Sequence, residues 1–147
     1  MIVSFPFLIF NIAESSQYSI DDFYSKFRVE SIVKLENCGS MISNQTVQKT
    51  LYKKISISIN EYKGLWVALT IPNYTIWSEQ PDQEEGVVEP PYIQRLYEAN
   101  GDYWDSITIM TVNSPKGDNP YQYFEIIDRN TLLLEEGCWV YTLKRMK

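Results

Sequence analysis

The sequence predicts a mainly β protein, a single antiparallel up-and-down barrel of about eight or nine strands with two short helices. Three observations carry that expectation. Lys54-Ile55-Ser56-Ile57-Ser58-Ile59-Asn60 alternates apolar and polar side chains without interruption, the period of a strand with one buried face. From there to the C-terminus turn signals recur at short intervals, among them Lys63-Gly64, Pro72-Asn73, Asn100-Gly101, Asp128-Arg129-Asn130 and Glu136-Gly137. The composition, 44% hydrophobic and 14% aromatic over 147 residues, is rich in side chains that pack on a pleated surface and far from that of a disordered chain. A chain of this length should bury roughly 68–70% of its unfolded surface, enough for a core without a metal or several disulfides.

Taken in order, Asp21 to Lys26 reads as a short helix behind Ser19, with acids in its first turn. Phe27 to Val33 reads as the first strand, ended by Cys38-Gly39-Ser40. Ser43 to Tyr52 places Val47 and Leu51 four apart behind a Ser/Asn cap and predicts the second helix. After the alternating strand, Leu65 to Ile71 is apolar on both faces, as in a strand covered on both sides. Tyr74 to Trp77 follows. Glu79 to Pro91 is the one long loop, with five acids, no base and three prolines. Strands are then expected at Tyr92–Tyr97, Ile107–Val112, Tyr121–Ile127, Thr131–Leu134 and Cys138–Lys144.

Several function classes are disfavoured. The formal charge of −6, without a basic run, gives no electrostatic basis for nucleic-acid binding. The absence of histidine removes Ser-His-Asp and Cys-His catalysis and the usual imidazole metal sites. The acidic loop lacks the residue order of a Ca²⁺ loop and reads as a solvated loop, while Asp102 and Asp105, which flank Trp104 as a glycosidase-type carboxylate pair would flank a sugar-stacking ring, read more simply as a polar turn. The expectation is a non-enzymatic domain with no catalytic residues, no metal and no cofactor.

Residues 1–13 form an apolar segment too short to span a membrane, so no transmembrane span is expected. It resembles the apolar part of a signal peptide, with Ala13 near a cleavage position, but has no basic residue ahead of it and is interrupted by Pro6. Export or an envelope location is slightly favoured over the cytoplasm, and residues 14–147 form the barrel domain. Cys38 and Cys138 are linked to that question: small buried hydrophobes in a reducing compartment, a bonded pair in an oxidising one. Asn44-Gln45-Thr46 and Asn73-Tyr74-Thr75 match the N-glycosylation pattern, a signal of low specificity.

The run Phe124 to Leu134, a tight turn, and Trp139-Val140-Tyr141-Thr142-Leu143-Lys144-Arg145 resembles the closing hairpin of small bacterial lipocalin-like (calycin) barrels. Phe27 to Val33, the helical Ser43–Tyr52 excursion and the Lys53-Lys54-Ile55-Ser56 strand resemble them too. The family's first-strand G-x-W is absent, replaced by Ser25-Lys26-Phe27. The resemblance implies that Arg145 packs over Phe27, a cation–π contact of about 0.5–2 kcal/mol. If the first and last strands pair antiparallel with Phe27 opposite Arg145, Leu35 falls opposite Gly137 and Cys38 comes within a few residues of Cys138, close enough for a disulfide.

By that resemblance the barrel binds a small apolar ligand or has a structural envelope role. The expected contact residues are Trp66, Trp77, Tyr92, Trp104, Tyr123 and Trp139, and the expected structural residues are Cys38, Cys138, Phe27 and Arg145. The alternative is a protein–protein interaction module of inhibitor or immunity type, using the acidic loop and exposed aromatics.

Overall fold

A computed structural model of the chain describes residues 17–35, 39, 42–79, 107–116 and 120–147. A 3₁₀ turn (Ile20–Phe23) leads into β1 (Ser25–Lys34), and a short helix α1 (Asn44–Gln48) follows. The remaining strands are β2 (Lys54–Ile57), β3 (Glu61–Lys63), β4 (Ala68–Thr70), β5 (Asn73–Glu79), β6 (Ile107–Asn113), β7 (Pro120–Asp128), β8 (Thr131–Glu136) and β9 (Trp139–Arg145). They form one nine-stranded sheet in the order β4-β3-β2-β1-β9-β8-β7-β6-β5, every pairing antiparallel. All neighbours are also sequence neighbours except β1 and β9. The sheet curls into a half-barrel. Its two outermost strands, β4 and β5, are joined by only Ile71 and Pro72.

The alternation seen in the sequence sorts side chains onto the inner face. Phe27 and Val29 on β1, Ile55 and Ile57 on β2, Met110 and Val112 on β6, Phe124 and Ile126 on β7, Leu132 and Leu134 on β8, and Tyr141 and Leu143 on β9 share one core. Burying each such side chain contributes about 1.5–3 kcal/mol relative to leaving it in water. The outer face of β6–β9 is buried as well: Ile109, Glu125 and Leu133 stand in one cross-strand row, flanked by Ile107, Thr111 and Val140. The expected polar outer face is therefore missing from these strands. That is why their sequences run nearly continuously apolar.

Three segment expectations change in the folded molecule, and a fourth lies outside the described residues. The two helices shrink to the 3₁₀ turn and the five-residue α1, because the chain enters β1 at Ser25 and turns at Lys49–Tyr52 to meet β1. The Ile55-Ile57-Ile59 alternation stops at Ile57: Ser58 closes a turn by accepting the Glu61 N–H, which leaves Ile59 64% exposed. Leu65–Ile71 is not one doubly covered strand, since the Gly64 N–H donates to the Val67 carbonyl and only Ala68–Thr70 pairs. The strand expected at Tyr92–Tyr97 lies outside the described residues, as do residues 1–13, Trp104 and Cys38.

Phe27 does stand opposite Arg145. A register shift between Val29 and Ser31 then moves every later partner by one, so that Leu35 donates its N–H to the carbonyl of Cys138 rather than falling opposite Gly137. The β8–β9 hairpin turns on Gly137 and Cys138, whose φ angles of 58° and 72° match the left-handed pair of a two-residue hairpin loop.

The Arg145 guanidinium lies 5.0 Å above the Phe27 ring. Its Nη2 donates to the carbonyl oxygens of Asp22 and, at 2.7 Å, Arg129, and its Nε donates to the latter at 3.1 Å. One side chain thus ties the 3₁₀ turn and the β7–β8 turn to β1. Arg145→Ala is expected to lower stability by about 1–3 kcal/mol, through lost charge-assisted hydrogen bonds and ring contact, seen as a lower urea midpoint at unchanged slope.

Candidate functional site

At one end of the inner face the apolar wall gives way to hydrogen-bonding groups. Gln122 occupies an inward position of β7 in the series Gln122, Phe124, Ile126, where a hydrophobe would be ordinary, and it is only 3% exposed. Its Oε1 accepts from the Tyr62 hydroxyl of β3, and its Nε2 donates to Glu136 Oε1 of β8 at 3.2 Å. Because β3 and β7 lie far apart in the strand order, the Tyr62–Gln122 bond crosses the interior rather than running along the sheet. Tyr74 of β5 makes a second such link, donating to the Ser58 carbonyl at 2.9 Å.

Next to this row stands Tyr141. Glu136 pairs with Trp139, and Leu134 pairs with Tyr141, so Glu136 and Tyr141 are diagonal neighbours on one face. Tyr141 is fully buried, yet its hydroxyl has no hydrogen-bond partner among the described residues. Leaving such a group unsatisfied costs about 1–3 kcal/mol. The Trp66 ring packs edge-on against the Tyr141 ring, with centroids 5.5 Å apart at 74°, while Trp66 itself remains 42% exposed. Trp139 is buried, its indole N–H donating to the Ile42 carbonyl at 3.2 Å, and the Lys34 ammonium lies 5.8 Å from its ring centroid.

The electrostatics follow burial. Desolvation raises the Glu136 pKa above the usual carboxylate range, the Gln122 amide opposes that by hydrogen-bonding the carboxylate, and the Glu135 charge adds to it. The Tyr141 hydroxyl is pushed up to about 12 by burial, with the Glu136 charge contributing. Tyr62 is raised for the same two reasons in the same order. Burial at this end of the interior therefore penalises the charged form of Glu136 relative to a carboxylate in water.

Of the aromatic residues singled out from the sequence, Trp66 and Trp139 belong to this end. Trp77 and Tyr123 stand on the outer face, 36% and 51% exposed. Adjacent residues of a strand point to opposite faces, and it is Phe124 rather than Tyr123 that enters the core. Tyr92, Trp104 and Cys38 lie outside the described residues. Phe27 and Arg145 meet as described. The sulfur of Cys138 lies 3.3 Å from the Gly39 carbonyl oxygen. Tyr62, Gln122, Glu136 and Tyr141 escape sequence reading, although a lone Gln in the inward parity of β7 is a signal that could have found the row.

Among the described residues no group of three or more His, Cys, Asp or Glu side chains is placed to hold a metal ion, and no helix is long and apolar enough to cross a membrane. No family model, curated protein or solved structure matches the chain.

Glu136 sets a pH dependence whose sign is fixed by its raised pKa. The unfolded chain loses the proton first, so stability falls as pH rises through the ordinary carboxylate range and levels off above the folded-state pKa. Glu136→Gln removes that loss. Urea unfolding is expected to find the variant more stable than the parent at pH 7 and equal to it near pH 3, where both folded and unfolded carboxyls are protonated.

Proposed function

We propose that this protein is a non-enzymatic, lipocalin-like domain that holds a small apolar ligand against the inner face of its curled sheet. The observation that carries the reading is the composition of that face: an aliphatic and aromatic wall with a few convergent polar groups at one end, Tyr62, Gln122, Glu136 and Tyr141. That combination suits a binding site, in which apolar area supplies affinity and a few polar atoms fix orientation. The Arg145–Phe27 contact supports the lipocalin-like part of the proposal, since the resemblance implied it, and the pairing of β1 with β9 is the one that closure of a barrel would need. Trp66 is the side chain through which a ligand would reach Tyr141.

A second reading rests on the outward Trp77 and Tyr123, which stand on strands separated by β6 and offer aromatic area to another protein. It requires no ligand inside the sheet.

Native mass spectrometry of the gently purified protein, together with titration of the neutral fluorescent lipophile N-phenyl-1-naphthylamine, separates the two. The ligand reading expects a bound small molecule or a saturable probe, with binding weakened in Trp66→Ala. No co-purifying molecule and no saturable probe would sink it.

The same reading, with an exported protein, includes a Cys38–Cys138 disulfide. Leu35 and Gly39, which bracket Cys38 in sequence, both touch Cys138. A bond closing a loop of about 100 residues would add about 3–5 kcal/mol in the chain-entropy account. Thiol titration of the natively produced, denatured protein is expected to find no reactive thiol before reduction and two after it. Two reactive thiols before reduction would remove the disulfide and, with it, the main support for an oxidising compartment.

A further inference from the structure

We infer that the end of the interior formed by Glu136 and Tyr141 receives the cationic head of an amphipathic ligand, an organic ammonium. This rests on the ligand-binding reading above and names the class of ligand.

Three observations point the same way. Glu136 is half-buried, accepts one hydrogen bond from a neutral amide, and has no Lys or Arg within ion-pair distance among the described residues. A carboxylate in that position calls for a positive charge, which a neutral amide does not provide. Beside it, the fully buried Tyr141 hydroxyl has no partner among the described residues and so retains its lone pairs for an N–H donor. Around both stand aromatic rings: Tyr141 itself, Trp66 at 5.5 Å from it, and Tyr62, whose hydroxyl joins Glu136 through Gln122. Aromatic faces attract ammonium groups through their quadrupoles. The neighbouring ring of Trp139 already does so, with the Lys34 ammonium 5.8 Å away.

Competing head groups fit less well. An anionic head would meet the Glu136 carboxylate. A neutral hydroxyl could satisfy Tyr141 but would leave the carboxylate uncompensated. Lys34 is not the missing counter-charge. It lies across Trp139 on β1, it is exposed, and no ion pair joins it to Glu136.

The test uses the full chain with N-phenyl-1-naphthylamine bound, displaced below the micellar range by decyltrimethylammonium and by decanol, which carries the same alkyl tail. The ammonium is expected to displace the probe at roughly tenfold lower concentration. Glu136→Gln should abolish that preference, bringing the displacing concentrations of the ammonium and the alcohol together. This variant removes a half-buried carboxyl and keeps an amide that can pair with Gln122, so it should fold, as far-ultraviolet circular dichroism would verify. Tyr141→Phe should weaken decylammonium, which donates N–H bonds, by about tenfold and spare decyltrimethylammonium, which has none.

Equal displacement by ammonium and alcohol overturns the inference while the ligand-binding reading stands. A preference that survives in Glu136→Gln also overturns it, because the overall charge of −6 would then be attracting cations without this site. Failure of the probe to bind at all removes both.

Discussion

Antiparallel pairing of β1 with β9 joins the first and last strands, and the rest of the sheet depends on it. Without that contact the chain would be two separate meanders, β1 to β4 and β5 to β9. The pairing carries its own irregularity. At the register shift between Val29 and Ser31, the Val29 N–H donates to the Lys53 carbonyl and the Val29 carbonyl accepts from Tyr52, so β1 is bonded on both sides where it bends. A bulge strengthens local twist, and twist is what turns a flat meander into a curled one. Arg145 then reinforces the same junction by bonding backbone carbonyls of the two turns that flank it.

Curling brings strands from opposite sides of the sheet order face to face, and the polar groups inside are where that meeting is specified. The Tyr62–Gln122 bond and the Tyr74–Ser58 bond both join the β2–β4 side to the β5–β7 side. Hydrogen bonds in an apolar interior are directional in a way that Leu and Ile contacts are not, so they position the two sides relative to each other. Gln122 spends its carbonyl on Tyr62 and one N–H on Glu136, which leaves the Tyr141 hydroxyl outside the network. An interior built only for stability would have an apolar residue at position 122 and a Phe at 141.

The link between β4 and β5 shows strain where the fold changes partners. On one side of Ile71 the chain pairs with β3, and after Pro72 it pairs with β6. Ile71 holds a φ of 52°, in the left-handed region that β-branched side chains rarely enter, and its N–H donates to the Asn60 carbonyl at 2.8 Å. Pro72 has no N–H to lose from a ladder and suits the edge of a sheet. A chain that must leave one strand neighbour and join another within two residues has few relaxed conformations available.

The alternation of Lys54 to Ile57, the apolar runs of β6 to β9 and the turn residues between them identified strands and antiparallel order, because side-chain period and turn chemistry are local properties, whereas the expectation of Phe27 opposite Arg145 came from the resemblance alone. Where a strand ends, as at Ile57, and which of two adjacent aromatics points inward, as with Tyr123 and Phe124, depended on partners distant in sequence. The one-residue slip that set Leu35 against Cys138 was likewise decided by the bulge, which no local pattern marks. So was the polar end of the interior: Tyr62, Gln122, Glu136 and Tyr141 come from four strands, and only the curl of the sheet makes them neighbours. A residue's period is written in its own segment, whereas its neighbours across an interior are fixed by the closure of the whole sheet.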